Sequence, residues 1–348
     1  MKSVHVLIFI LGLTLITISC KDPVPKTENK NDDGSMTIVT GNPAVDALTK
    51  QIKGDIENSE LYYERSIAFA DMGAFDNAIG DMNQAMKYDS LRPKYYAHLS
   101  DLFLNYSRSK KALATLQIAT ERFPQNIPIR LKYSELLITL RQDQRAVLQL
   151  SKVMEQDNEN ADAFFLMGLL MQSMGEFDKA KKSLKEVVSI DPEITDAYIL
   201  LGELYENDNP DLALRYLENA ITVDPANINA LHSKAFFLQN HDRVPEALDI
   251  YRQINIKDPY YAPAFLNAGI LLLEMEEFER AYEQFNILIG IQPTDHLAYF
   301  YRGYTQYLQG KLEPAKADLE QSLVYKDNYE KAKKVLNDIN TEIKRKNL

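Results

Sequence analysis

Apolar residues between positions 59 and 329 recur at helical spacing, and the helical segments then recur as blocks. In one block, Leu166, Met167, Leu170 and Met171 lie on one helical face, and Ala180, Leu184, Val187 and Val188 lie on another. Aligned in steps of 34 residues, position 20 is always alanine: Ala78, Ala112, Ala146, Ala180, Ala213, Ala247, Ala281 and Ala315, the fifth block being one residue short. Position 8 is always small: Ser66, Ser100, Ser134, Gly168, Gly202, Ala235, Gly269 and Gly303. Position 4 is usually aromatic, as in Tyr62, Tyr96, Phe164, Tyr198, Phe265 and Tyr299, and position 32 is proline in five blocks. Small residues at positions 8 and 20 let two antiparallel helices approach closely, while the large residue at position 4 fills the space beside them.

Prolines test this register, because one inside a helix costs about 3 kcal/mol. Five close a block (Pro124, Pro192, Pro225, Pro259, Pro293), and Pro210 falls in a turn. Six more start helices: Pro43, Pro93, Pro128, Pro245, Pro263 and Pro314. The third block is the weakest, with Arg130 in the aromatic position, Arg141 and Asp143 in its turn and Asn158 for proline. In the fifth, Asn207-Asp208-Asn209-Pro210-Asp211 reads as a solvated acidic loop rather than a calcium site.

Spacing and residue types together resemble the tetratricopeptide repeat, a helix, tight turn and second helix per unit. The resemblance covers eight units over residues 59–329. It implies an all-α fold, a right-handed superhelical solenoid with terminal caps. The N-terminal cap is expected over 42–58, with Val45, Leu48, Ile52 and Ile56 on one face, and the C-terminal cap over 330–348.

The start of the chain has a different character. Lys2 precedes an apolar run from Val4 to Ile18, short for a membrane span, and Ser19 then leads to the single cysteine, Cys20. The segment Leu15-Ile16-Thr17-Ile18-Ser19-Cys20 resembles the lipobox of bacterial lipoproteins, with Thr17 where leucine is usual. That resemblance implies a signal peptide over 1–19 and acylation of Cys20, whose several chains would hold the protein stably on a bilayer. Residues 20–41 are polar and read as a flexible tether reaching about 70 Å when stretched.

Chemistry is hard to find. The five histidines never stand at i, i+4 spacing, and there is no phosphate-cradling loop or nucleophile elbow. No catalytic residue, metal site or cofactor is therefore expected. A net charge of −11 argues against nucleic acid, whose binders need basic surfaces.

Function is then expected on surfaces. In the tetratricopeptide family the first helices line a concave groove, and positions 2, 5, 9 and 12 face the ligand. Here those positions give Phe165, Leu169, Ile199, Phe236, Leu266, Ile270, Phe300 and Tyr304 as the partner-binding groove, preceded by Tyr63, Ile67, Asp101, Leu131 and Glu135. So apolar a face suits an apolar or mildly basic protein or peptide segment, and lacks the basic residues that grip acidic tails. The resulting expectation is a non-catalytic scaffold anchored to the bacterial outer membrane and facing the periplasm, in an envelope or secretion complex. Alternatives are an adaptor for an envelope protease or peptidoglycan hydrolase, and a surface-exposed binding lipoprotein.

Overall fold

The computed structural model describes residues 27–30, 36–39 and 41–346; Cys20 and the expected signal segment 1–19 lie outside them. Part of the expected tether is strand. β1 (Thr27–Lys30) pairs antiparallel with β2 (Met36–Val39), Thr27 opposite Val39 and Lys30 opposite Met36. The β-branched run Thr37-Ile38-Val39 favours extended backbone, a preference hidden by the polar composition around it.

Beyond that pair, the described chain is helical, as the periodicity predicts. After α1 (Pro43–Gly54), the first helices of the repeats are α2 (Ser59–Asp71), α4 (Pro93–Asn105), α6 (Ile127–Thr139), α8 (Ala161–Ser173), α10 (Thr195–Tyr205), α12 (Ile228–Asn240), α14 (Ala262–Glu274) and α16 (His296–Leu308). Their second helices are α3 (Phe75–Tyr88), α5 (Ser109–Arg122), α7 (Asp143–Gln156), α9 (Phe177–Ile190), α11 (Pro210–Val223), α13 (Val244–Lys257), α15 (Phe278–Ile291) and α17 (Leu312–Tyr325), and α18 (Glu330–Lys346) follows. The described residues form two compact bodies, divided between residues 149 and 150, within α7.

Local chemistry sets the helix ends. The residue just before a repeat caps its first helix: Asn58, Asn126, Asn160, Asn227 and Asp295 each accept a hydrogen bond from a backbone N–H of the first turn, contributing about 1 kcal/mol apiece. In five repeats the second helix ends at an aspartate whose carboxylate accepts from the N–H two residues on: Asp89, Asp157, Asp191, Asp224 and Asp258. That bond folds the chain back over the residue at position 32. Pro210, expected in a turn, is instead the first residue of α11, behind the cap Asn209.

Within each repeat, position 8 meets the second helix. Ser66 and Ser100 donate to the carbonyls of Ala78 and Ala112, at position 20. Where the residue is glycine there is no room for more: a Cβ on Gly202 would stand 2.6 Å from Leu217 Cγ, and one on Gly269 would stand 2.5 Å from Phe285 Cε1. Repeats 1 and 8 also carry a two-pronged ion pair between their helices, Arg65 to Asp81 at 2.7 Å and Arg302 to Asp318 at 2.6 Å.

In the first body, α1 buries Val45 and Ile52 against α2, whereas Ile56 lies past the helix end and is 59% exposed. Gly54 and Asp55 end the helix one turn early, so the expected face stops at Ile52. In the second body, α18 lays Ala332 and Ile339 on Leu312, Ala315 and Leu319, covering the last repeat as a cap should.

Candidate functional site

First helices of the second body present a face of half-buried apolar side chains. Phe165 packs beside Leu184, Val187 and Leu201. Leu266 and Ile270 share a cluster with Leu272, Phe285 and Tyr304. Phe236 lies against the ring of His232, and Leu169 is half-buried on α8. These five keep surface that a partner can cover.

Two expected groove residues belong to the core instead. Ile199 is 6% exposed, enclosed with Ala220 and Ala230 of the following helices. Phe300 is 5% exposed because Tyr329, just before α18, stands edge-on to its ring at 5.0 Å. Tyr304 stacks on Phe300 at 5.9 Å and stays half-buried in the same cluster.

Polar groups also lie on this face, and one of them is held largely out of water. Glu203 on α10 is partly buried, and its carboxyl accepts a hydrogen bond from Ser233 of α12 at 3.3 Å. Desolvation pushes its pKa up to about 7; the Ser233 bond works in the opposite direction, and Glu206 adds to the rise. Nearby on α12, burial takes His232 down to about 4, so it is neutral at physiological pH. Its Nε2 lies 3.2 Å from Asn267 Nδ2, which also donates to the Tyr251 hydroxyl. A neutral imidazole nitrogen facing an amide N–H is an acceptor, so Nδ1 carries the ring proton. Among the described residues, Glu203 thus has one weak donor and no cation against it, in surroundings that disfavour its charge.

The first body holds a feature that the sequence reading missed. Arg92, Pro93, Lys94, Ala97, Asn126, Pro128, Ile129 and Lys132 line a cavity of about 650 Å³ between the starts of α4 and α6. Its cations are already engaged: Arg92 with Asp89, Lys94 with Glu60 and Lys132 with Asp101, at 2.7, 2.5 and 2.7 Å. Charges at repeat positions 2 and 6 were the available signal. Asp101 is therefore half of an ion pair, while Ile67 is exposed and Tyr63 stacks on Tyr95 at 5.2 Å.

Among the described residues, no three His, Cys, Asp or Glu side chains are grouped to hold a metal, and no helix is long and apolar enough to cross a membrane. In the acidic turn, Asp208 is ion-paired with Lys181.

Comparison with known proteins agrees with this architecture. Residues 139–282 match the family described as tetratricopeptide repeat protein 21 N-terminal ARM repeat. A curated relative, Protein O-mannosyl-transferase TMTC1 of Homo sapiens, is 29% identical over 97 residues, which is 28% of this chain and 11% of that protein's length. A crystal structure of a tetratricopeptide repeat protein from Parabacteroides merdae superposes with a TM-score of 0.52 at 17% identity, covering 71% of this chain and 98% of that one. The APC/C hetero-tetramer Cut9-Hcn1 gives 0.51 at 15% identity, covering 85% of this chain and 58% of that one. At these identities the likeness is one of fold.

Proposed function

We propose that this chain, which has the tetratricopeptide-repeat fold, is a non-catalytic scaffold that holds a partner segment on the first-helix faces of its second body. The observation carrying this reading is the half-buried row Phe165, Leu169, Phe236, Leu266 and Ile270 with the desolvated Glu203 among them. Apolar side chains in such a row gain when a partner covers them, about 25 cal/mol per Å² of apolar surface. Glu203 adds selectivity, because a partner's lysine or arginine would supply the charge it lacks. The fitting occupant is an apolar helix or peptide with a basic residue.

Anchoring belongs to the same proposal. The apolar run to Ile18 and Cys20 support a lipidated N-terminus, and hence a scaffold on the periplasmic side of the bacterial outer membrane, serving an envelope or secretion complex. Replacing Cys20 by alanine is expected to move the protein from the membrane fraction to the soluble one and abolish incorporation of a labelled fatty acid.

The groove is tested by affinity purification of the lipidated protein from detergent, comparing wild type with the Phe165→Glu/Phe236→Glu/Ile270→Glu variant. A defined envelope partner present with wild type and absent with the folded variant supports the reading. Partners that persist would mean that these side chains only pack between helices.

A further inference from the structure

A second cavity, of about 500 Å³, opens where α15 meets the end of α16 and the start of α17. Glu279, Tyr282 and Glu283 of α15 line it with Gln306, Gln309 and Lys311. Tyr304 and Gln306 are two residues apart on α16, about 200° around the helix. The cavity therefore lies away from the apolar face described above and is independent of it.

Its walls are rich in acceptors. Gln306 is only 7% exposed, and the side-chain oxygens of both Gln306 and Gln309 are buried without a hydrogen-bond partner. Turning the Gln309 amide over does not help. Its Nε2 donates to Glu279 Oε1 at 3.0 Å, and the reversed amide would set oxygen against carboxylate. Two carboxylates outnumber the one ammonium of Lys311, which makes no ion pair among the described residues. Arg302 lies over the Tyr282 ring at 5.8 Å, but Asp318 and Asn286 engage its donors.

Buried acceptors are normally matched, and a pair left over at the lining of a cavity marks a place where donors belong. We propose that this cavity receives an arginine side chain of a partner protein. A guanidinium is the one side-chain group with five N–H donors, no acceptor and a permanent charge. It can bridge a carboxylate and two carboxamide oxygens with its flat face against Tyr282. Both oxygens are shielded as the chain stands, so the lining side chains rearrange around the arginine as it enters.

The test uses the full chain with ¹⁵N-labelled glutamine side chains, titrated with the tripeptide Ac-Gly-Arg-Gly-NH₂ and with its citrulline counterpart, alike in shape but neutral. The arginine peptide is expected to shift the side-chain amide signals of Gln306 and Gln309 with a Kd in the millimolar range, and the citrulline peptide to bind about tenfold more weakly. Glu283→Gln, an exposed change that leaves the fold intact, should weaken arginine binding about tenfold as well. Gln306→Met keeps the shape and removes one orphan oxygen. It should raise the melting temperature while blunting the arginine response at Gln309, a combination that a purely structural glutamine would not give. The Phe165→Glu/Phe236→Glu/Ile270→Glu variant should bind the tripeptide like wild type, which separates this site from the groove. Equal response to citrulline, an unchanged affinity in Glu283→Gln, or no shift at either glutamine would overturn the proposal.

Discussion

Gly202 and Glu203 are adjacent on α10 and do opposite jobs. Gly202 admits Leu217 so closely that a methyl group would stand 2.6 Å from its Cγ. Gly202→Ala should therefore destabilise the protein by about 1–3 kcal/mol, read as a lower urea midpoint, despite alanine's better helix propensity. Glu203 is held where its charge is unwelcome. Its folded pKa of about 7 exceeds the unfolded 4.5, so its contribution is complete below pH 4.5 and is lost as pH rises through 7. The loss is bounded at about 3 kcal/mol, and water at the partly exposed carboxyl lowers it to about 1–2 kcal/mol. His232, depressed from 6.5 to about 4, acts in the other direction and loses its contribution as pH falls. Between pH 4.5 and 6.5 the two nearly cancel, so the wild-type stability profile alone hides both. Comparing Glu203→Gln with wild type isolates the carboxyl: the variant should gain about 1–2 kcal/mol in relative stability between pH 5 and pH 8, whereas a constant difference would mean a solvated Glu203. Small residues at position 8 were legible because sterics restrict residue type. Arg130 was legible only as a departure. In repeats 1 and 2 the position-4 tyrosines donate to the carbonyl six residues back, at Ile56 and Ser90, and Arg130 donates to Pro124 at the same offset. Its guanidinium reproduces the hydroxyl's bond while its stem fills the space, an equivalence that no residue-type pattern displays.

Helices and their turns follow the hydrophobic period closely, and what that period leaves out is backbone conformation. Every full-length repeat turns through a left-handed residue at position 15: Gly73, Gly175 and Gly310, but also Ser107, Arg141, Asp242 and Glu276. Glycine adopts this conformation at no steric cost, whereas other L-residues are strained by about 1–2 kcal/mol. Glu276, at φ 61°, is exposed between α14 and α15 and makes no ion pair among the described residues. Glu276→Gly is accordingly expected to stabilise by about 0.5–1 kcal/mol, because relief of strain exceeds the added freedom of the unfolded chain. Calorimetry checks this; a fall in melting temperature would show the turn to be relaxed. The fifth repeat, lacking one residue, has no left-handed turn, and α10 stops at Tyr205 after 11 residues. The missing residue was visible in the spacing, and the helix end just before Asn207 was visible in the loop Asn207–Asp211, since asparagine and a following proline both mark a helix stop.

In the molecule as a whole, repetition gives a chain of local contacts. Within each body, helices touch those next to them in sequence, and first helices also touch the next first helix, as α10 does α12 and α14 does α16. Stability in such an array is close to a sum of repeat and nearest-neighbour contributions, so damage stays near where it is made. Phe285 offers a sharp test. Fully buried on α15, it fills the space left by Gly269 of α14 and stacks on Tyr301 of α16 at 5.4 Å. Phe285→Ala should cost about 3–5 kcal/mol locally. Hydrogen exchange followed by mass spectrometry is expected to speed up through α14–α17 and stay unchanged in α2 and α3 of the first body. Uniform acceleration would mean that the chain unfolds as one cooperative unit. The distinction bears on function, because a face assembled from locally stable repeats can loosen in one repeat to admit a partner without releasing its grip in the others. Phe165 is three repeats away from Phe285, so the same variant should leave its part of the apolar face folded. A partner that still binds there, with weaker hold at Leu266 and Ile270, is the behaviour expected of a modular surface.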